Sequence, residues 1–285
     1  MNAEVLYKKL ENDFVRPGMS DDWAKHMEGV ADFLCDNFKN RSMGLVCDNT
    51  EEIGKVYTAV FPTEAVLRHI LDKQEKDALL FVHHPAIWDI SKAPNVFQQI
   101  NRDLLRNLRE NRISLFNFHV PLDNFGPFST SVTLTNALGM RIEKPFIEYF
   151  GGMAGVIAIT GSASLAELAS SFEAALGHRI KTYDYGTRNI INGRVAVIAG
   201  GGNDCASLKE IAGENINILV TGITRLKPGK PSEQVHALAK EAGISLIGGT
   251  HYSTEKFACI SICEYFRKLG IESEFIPGEP GFEDL

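Results

Sequence analysis

Short apolar runs along the chain alternate with longer stretches in which apolar residues recur at helical spacing. The runs Ala78–Val82 and Ile113–Phe118 have the length of buried strands. Residues 20–37 instead place Trp23, Met27 and Val30 on one face of a predicted helix. Repeated alternation of strand and helix predicts a sheet covered by helices.

The alternation falls into two blocks, and the second begins at about Ala154. Predicted helices cover residues 4–14, 20–37, 63–71, 95–110, 129–138, 164–176, 205–212, 232–242 and 253–269. Predicted strands cover residues 44–47, 56–60, 78–82, 113–118, 156–160, 179–183, 195–199, 216–221, 244–247 and 272–276. We therefore expect an α/β protein with two lobes of α/β/α layers. The predicted division is 1–128 plus 245–285 for the first lobe and 129–244 for the second.

Composition and charge narrow the function classes. The formal net charge of −7 argues against a general nucleic-acid binder, which usually carries a basic face. No apolar run approaches the roughly 20 residues that a membrane-spanning helix needs, and the N-terminus lacks the pattern of a signal peptide. Five widely spaced cysteines fit reduced thiols. These features predict a cytoplasmic protein.

Three stretches at the ends of predicted strands hold half of the chain's eight histidines. They are Phe81–Pro85, Phe118–Asn124 and Gly248–Lys256. Ligands of such sheets collect beyond the carboxyl ends of the strands, so we expect these stretches to meet. Our hypothesis is that they bind two metal ions, and its five proposed ligands are His83, His84, Asp123, His251 and Glu255.

The number of ligands favours two ions over one. A catalytic zinc usually has three protein ligands, so five ligands are too many for one such ion. Two ions joined by a bridging carboxylate fit five ligands better. Asp123 and Glu255 are the bridging candidates, with Glu255 expected in the first turn of the last helix. His119 is a further ligand or a residue behind the ligands, and Pro121 predicts a turn there. Each histidine taken alone is more simply a structural residue.

The motifs His83–Pro85, His119–Asp123 and Gly249–Glu255 resemble the signature segments of the NGG-interacting-factor-3-like family. Its members are often labelled GTP cyclohydrolase 1 type 2 homologues. The resemblance implies a two-lobed α/β fold, a dinuclear metal centre in the cleft between the lobes and a ring-shaped homohexamer. By motif position it assigns the ligand role to the same five residues. The family usually carries an acidic residue after Thr-Gly. In this chain the run Val220–Arg225 has Ile223 after Thr221 and Gly222.

Two functions remain open at this point. The first is a hydrolase that uses two divalent ions (zinc, iron or manganese) to activate water. The family label suggests a nucleotide or heterocycle as its substrate, with GTP ring opening as the example. Its catalytic candidates are Glu255, His119 and Tyr252. The proton donor is either His119 or Tyr252, and the sequence does not choose between them. The alternative is a non-catalytic metal-binding protein that regulates partners.

Three further features have ordinary structural explanations. Gly200–Gly202 lies between a predicted strand and a predicted helix, where a tight turn is simpler than a phosphate cradle. Asp21 and Asp22 stand at a predicted helix start, where carboxylates complement the helix dipole. A basic loop contains Arg225, Lys227 and Lys230. We expect that loop to be solvated, although an anionic ligand is the alternative.

Overall fold

A computed structural model describes residues 1–285, which form ten α-helices and thirteen strands. The helices are α1 (Ala3–Phe14), α2 (Asp36–Arg41), α3 (Glu64–Asp72), α4 (Arg102–Glu110), α5 (Val120–Asp123), α6 (Thr130–Ala137), α7 (Leu165–Leu176), α8 (Cys205–Gly213), α9 (Pro231–Ala242) and α10 (His251–Lys268). The strands are β1 (Gly44–Cys47), β2 (Lys55–Ala59), β3 (Ala78–Val82), β4 (Ile87–Trp88), β5 (Phe97–Gln98), β6 (Ile113–Asn117), β7 (Arg141–Tyr149), β8 (Gly152–Ile159), β9 (Lys181–Tyr183), β10 (Arg194–Ile198), β11 (Ile218–Thr221), β12 (Ser245–Gly248) and β13 (Glu272–Phe275). The predicted α/β class is confirmed. None of the helices combines the length and the apolar character that a membrane span requires.

The chain forms two compact units. Unit 1 comprises Met1–Leu122, Phe150–Gly152 and Cys259–Gly278. Unit 2 comprises Asp123–Tyr149, Met153–Ala258 and Glu279–Leu285. The boundary between the units therefore falls inside α10.

Unit 1 is built on a five-stranded sheet in the order β1-β6-β3-β2-β13. Four strands run parallel, and only β1 is antiparallel to its neighbour β6. Every residue of β3 is buried, as expected for a strand between two parallel neighbours. Helix α3 begins where the Thr63 hydroxyl accepts a hydrogen bond from the backbone N–H of Val66. Its apolar face (Val66, Leu67 and Ile70) packs into the same core.

Unit 2 contains a six-stranded sheet in the order β7-β8-β10-β11-β12-β9. Strands β10, β11 and β12 run parallel, so their carboxyl ends meet at one edge. Alternate residues of β10 enter different cores: Val195 and Val197 enter one, and Ala196 and Ile198 enter the other. Because strand side chains point alternately to opposite faces, this division shows apolar packing on both faces of the sheet.

The predicted helix over residues 20–37 is wrong. The structure has short 3₁₀ segments at Trp23–His26 and Glu28–Phe33, followed by α2. Trp23 is almost fully buried, and the Asp21 carboxylate also turns inward, to His119. These tertiary contacts override the helical spacing of the apolar residues.

Further elements differ from prediction. The predicted helix over residues 95–110 begins only at Arg102, because the Asn101 side chain caps it and residues 97–98 pair with β4. Strand β7 was not predicted, since Pro145 and four charged residues obscure its pattern. Strand β7 is an edge strand, where a proline is tolerated.

The units and the predicted lobes are divided differently near the C-terminus. The prediction groups residues 245–285 with the first lobe. In the structure, β12 pairs with β11 and β9 of the second sheet, and residues up to Ala258 belong to unit 2. Residues Cys259–Gly278 belong to unit 1, where β13 pairs with β2.

Glu274 on β13 provides a test of how unit 1 is held together. Its carboxylate accepts hydrogen bonds from Lys73 Nζ at 2.6 and 2.9 Å. These bonds are the main reason that its pKa falls to about 2. A carboxylate with a lowered pKa stabilises the fold above its unfolded pKa, and this stabilisation is lost as pH falls through the folded value.

We therefore expect Glu274→Gln to lower the free energy of unfolding by about 1 kcal/mol at pH 7, since the partly exposed pair is screened by solvent. Urea unfolding should show a smaller difference from the parent protein at pH 3. Glu64→Gln is the control, because its pair with Arg68 is exposed. Equal losses for Glu274→Gln at both pH values would contradict this account.

Candidate metal centre

His83 and His84 directly follow β3, and the neighbouring strand holds their backbone. The N–H of His83 donates to the carbonyl of Ala59, and the N–H of His84 donates to the carbonyl of Val60. The ladder therefore continues for two residues beyond β3. The imidazole centroids lie 4.3 Å apart, so both side chains reach one place, as the metal hypothesis requires.

Hydrogen bonds orient the rings of His83 and His119. His83 Nδ1 donates to the carbonyl of Phe118 at 3.0 Å, and His119 Nδ1 lies 3.0 Å from the Asp21 carboxylate. The Asp21 side chain is only 2% exposed. A carboxylate behind an imidazole fixes its tautomer and increases its basicity, as it does behind metal-bound histidines. Both contacts leave the Nε2 atom as the nitrogen that would bind an ion.

The three imidazoles of His83, His84 and His119 form one buried group in unit 1. One ring nitrogen from each lies within 4.8 Å of the others. Trp23 packs edge-on against His84 and His119, with centroid distances of 5.3 and 5.2 Å. Phe61 stacks on His84. Aromatic walls of this kind hold the imidazoles in place and lower the local dielectric around any bound ion.

His251 and Glu255 form a second group, in unit 2. Helix α10 begins at His251, earlier than predicted, so Glu255 lies in its second turn and not in its first. Residues four apart share one helix face, and His251 Nε2 is 3.1 Å from Glu255 Oε1. Two ligands about 2.1 Å from one ion stand roughly this far apart.

The start of α10 is fixed by a residue from the C-terminal end of the chain. The carboxylate of the buried Asp284 accepts a hydrogen bond from the His251 N–H at 2.8 Å. Its carbonyl oxygen accepts hydrogen bonds from the N–H groups of Thr224 and Arg225. A carboxylate at a helix N-terminus is favoured by the helix dipole.

The glycine-rich loop after β10 packs against Glu255. Gly200 has a φ of +71°, and a Cβ there would lie 2.1 Å from Glu255 Oε1. Its N–H donates to the Thr254 hydroxyl, and its carbonyl accepts from the N–H groups of Gly222 and Ile223. The structure therefore supports the tight turn over the phosphate cradle at Gly200.

The structure places the remaining predicted site residues in unit 2. Asp123 ends α5, a single helical turn in place of the predicted irregular turn, because Pro121 is tolerated in a first turn. The Asp123 carboxylate accepts a hydrogen bond from the Thr130 hydroxyl at 2.7 Å. Asp123 is not among the residues whose ligand atoms lie within 4.8 Å of one another. Tyr252 is buried at the start of α10.

Asp21 is the site residue that sequence reasoning missed. The prediction explains Asp21 and Asp22 together as helix-dipole compensation. In the structure Asp21 contacts His119, whereas Asp22 pairs with Lys25 in solvent. No periodicity distinguishes the two carboxylates, because the contact joins residues 98 positions apart.

A family model described as Duf34/NIF3 (NGG1p interacting factor 3) matches residues 21–280. The chain belongs to this family. Among its relatives, a GTP cyclohydrolase 1 type 2 homolog of Archaeoglobus fulgidus is 28% identical over 82% of this chain and 87% of its own. The homolog from Borreliella burgdorferi is 27% identical over 78% of this chain and 83% of its own.

Solved structures show the same fold. The protein ybgI, of unknown function, superposes with a TM-score of 0.76 over 99% of this chain and 100% of its own, at 22% identity. Reduced HcgD from Methanocaldococcus jannaschii has a TM-score of 0.68 over 98% of each chain, at 23% identity. The resemblance to the family drawn from the sequence motifs is confirmed.

The close approach at Gly200 yields a prediction about stability. Gly200→Ala forces a Cβ against the Glu255 carboxylate and requires a left-handed backbone, so we expect a loss of ~2–4 kcal/mol in urea unfolding. Gly161→Ala is the control, since its Cβ would meet no atom within 4 Å and its φ is not left-handed. Equal effects of the two substitutions would show that the contact at Gly200 is unimportant.

Proposed function

We propose that this protein is a metal-dependent hydrolase with two divalent ions, one held by each of its two groups of ligands. The observation that carries the proposal is the convergence of His83, His84 and His119 within 4.8 Å in a buried place. His251 and Glu255, a second pair at ligand spacing, support it. Asp123 completes the proposed set as a further carboxylate ligand.

The donor set fits the ions named from the sequence. Imidazole nitrogens and carboxylate oxygens together suit zinc, iron or manganese, whereas calcium and magnesium prefer oxygen ligands alone. No cysteine belongs to either group, which argues against a structural zinc of the Cys₄ type. The backing of His119 by Asp21 is a second feature common to metal sites.

Hydrolysis is the chemistry that this arrangement serves best. A bound divalent ion would supply Lewis acidity that lowers the pKa of a water molecule. The residues of the chain then hold and move protons: Glu255 accepts a proton, and Tyr252, or His119 where its Nε2 binds no ion, returns one to the leaving group. Burial of all three excludes bulk water and strengthens these interactions.

The substrate class rests on the relatives and not on geometry. Their printed names, GTP cyclohydrolase 1 type 2 homolog, support a nucleotide or related heterocycle as the substrate. The proposal includes a ring-shaped homohexamer as the working assembly. A non-catalytic regulator is the competing function, and the family description as an interacting factor favours it.

Asp21 yields a test of the metal site that does not depend on activity. We expect Asp21→Asn to weaken zinc binding about 10- to 100-fold, because the amide no longer supports the imidazole of His119 as a carboxylate does. Asp22→Asn is the matched control and should bind zinc like the parent protein. Competition with a fluorescent chelator measures both affinities. Equal zinc affinity in both variants would show that His119 takes no part in binding the metal.

A turnover assay separates the enzyme from the regulator. The metal-loaded protein is tested on a panel of nucleotides and phosphoesters, beside His251→Ala and Glu255→Gln. We expect turnover by the parent protein and at least a 100-fold loss in each variant, since each loses a proposed ligand. His69→Ala, altered at an exposed histidine, should keep full activity. Tight metal binding without turnover on any substrate would favour the regulator.

A further inference from the structure

The loop after β11 contains a cationic group that has no counter-ion. The Nη1 atom of Arg225 is buried and has no hydrogen-bond partner, although the residue as a whole is half-buried. The adjacent hydroxyl of Thr224 is also buried without a partner. A buried donor without an acceptor is costly, and more so when it carries a charge. Two such donors in neighbouring residues therefore need an explanation.

The position of these donors is defined by the second sheet. Thr224 and Arg225 follow β11, and the loop of Gly200 and the start of α10 follow the parallel strands β10 and β12. Asp284 connects two of these loops by hydrogen bonds. Its carbonyl accepts one from the N–H of Arg225, and its carboxylate accepts one from the N–H of His251. Thr224 also packs against Gly248, the last residue of β12. A Cβ at Gly248 would lie 2.1 Å from the hydroxyl oxygen of Thr224. The donors thus lie at the edge of the sheet that carries His251 and Glu255.

No acid in the chain neutralises Arg225. It takes part in no ion pair, and the Asp284 carboxylate is bound to His251. Lys227, two residues later, adds a second positive charge to the same loop. A guanidinium presents a planar set of donors that matches the oxygens of a phosphate or a carboxylate.

We propose that Arg225, assisted by the Thr224 hydroxyl, binds an oxyanion group of the substrate beside His251 and Glu255. The substrate would then carry a phosphate or carboxylate at this end. That this oxyanion belongs to a substrate rests on the proposed function. Binding of the anion itself needs no metal. Arg225 would therefore determine specificity for charged substrates over neutral ones.

The test measures anion binding by the whole metal-free protein in EDTA. Inorganic phosphate and acetate are titrated at constant ionic strength, by calorimetry and by the shift of the melting temperature. We expect Arg225→Gln to weaken binding of the preferred anion at least tenfold and to abolish its thermal shift. Arg225→Lys should lose part of the affinity, since an ammonium cannot form the planar bidentate contact.

Lys230→Gln is the matched control, because it removes an equal charge from an exposed residue of the same loop. It should change the affinity less than twofold. The melting temperature without anion checks folding, and Arg225→Gln should melt no lower than the parent protein because it removes an unpaired buried donor. Equal binding by Arg225→Gln and the parent protein, or no binding of either anion, would overturn the inference. Absence of zinc binding by the parent protein in the Asp21 experiment would overturn the proposed function alone.

Discussion

The parallel pairing of β3 with β2 and β6 is the constraint on which the candidate centre depends. This pairing continues past the end of β3, so that the N–H groups of His83 and His84 still bond to the carbonyls of the last residue of β2 and of the residue after it. On the other side, Phe118 bonds to β3 through its N–H and to His83 through its carbonyl. The imidazoles are therefore placed by the main-chain ladder of the sheet, which is more rigid than a free loop.

Unit 2 applies the same principle to a different set of residues. Its parallel strands end at one edge, where glycines permit contacts that any side chain would block. Gly200 lies against Glu255, and Gly248 lies against Thr224. Asp284 then sets where α10 begins, which places His251 and Glu255 one turn apart on the same face. His251 and Glu255 are thus positioned by contacts within unit 2.

The sequence predicted the parts of the fold that depend on local pattern. Apolar runs identified β3 and β6, and strand ends identified the positions of His83, His84 and His119, because both signals lie within a few residues. Contacts between distant residues left no such signal. Asp21 could not be distinguished from Asp22, and the start of α10 depends on Asp284, which is 33 residues away. Strand β7 was not predicted because it contains Pro145. A proline is tolerated there only because β7 lies at the edge of the sheet, and the local sequence does not show that position.

The central claim is that the histidine group binds an ion, and anomalous diffraction from crystals grown with zinc tests it most directly. Data collected above and below the zinc absorption edge locate the metal without reference to any assay. The account predicts anomalous peaks within about 2.0–2.3 Å of ring nitrogens of His83 and His84, the usual range for zinc and its ligands. Zinc bound only at other residues, or no peak at the histidine group at saturating zinc, would contradict it.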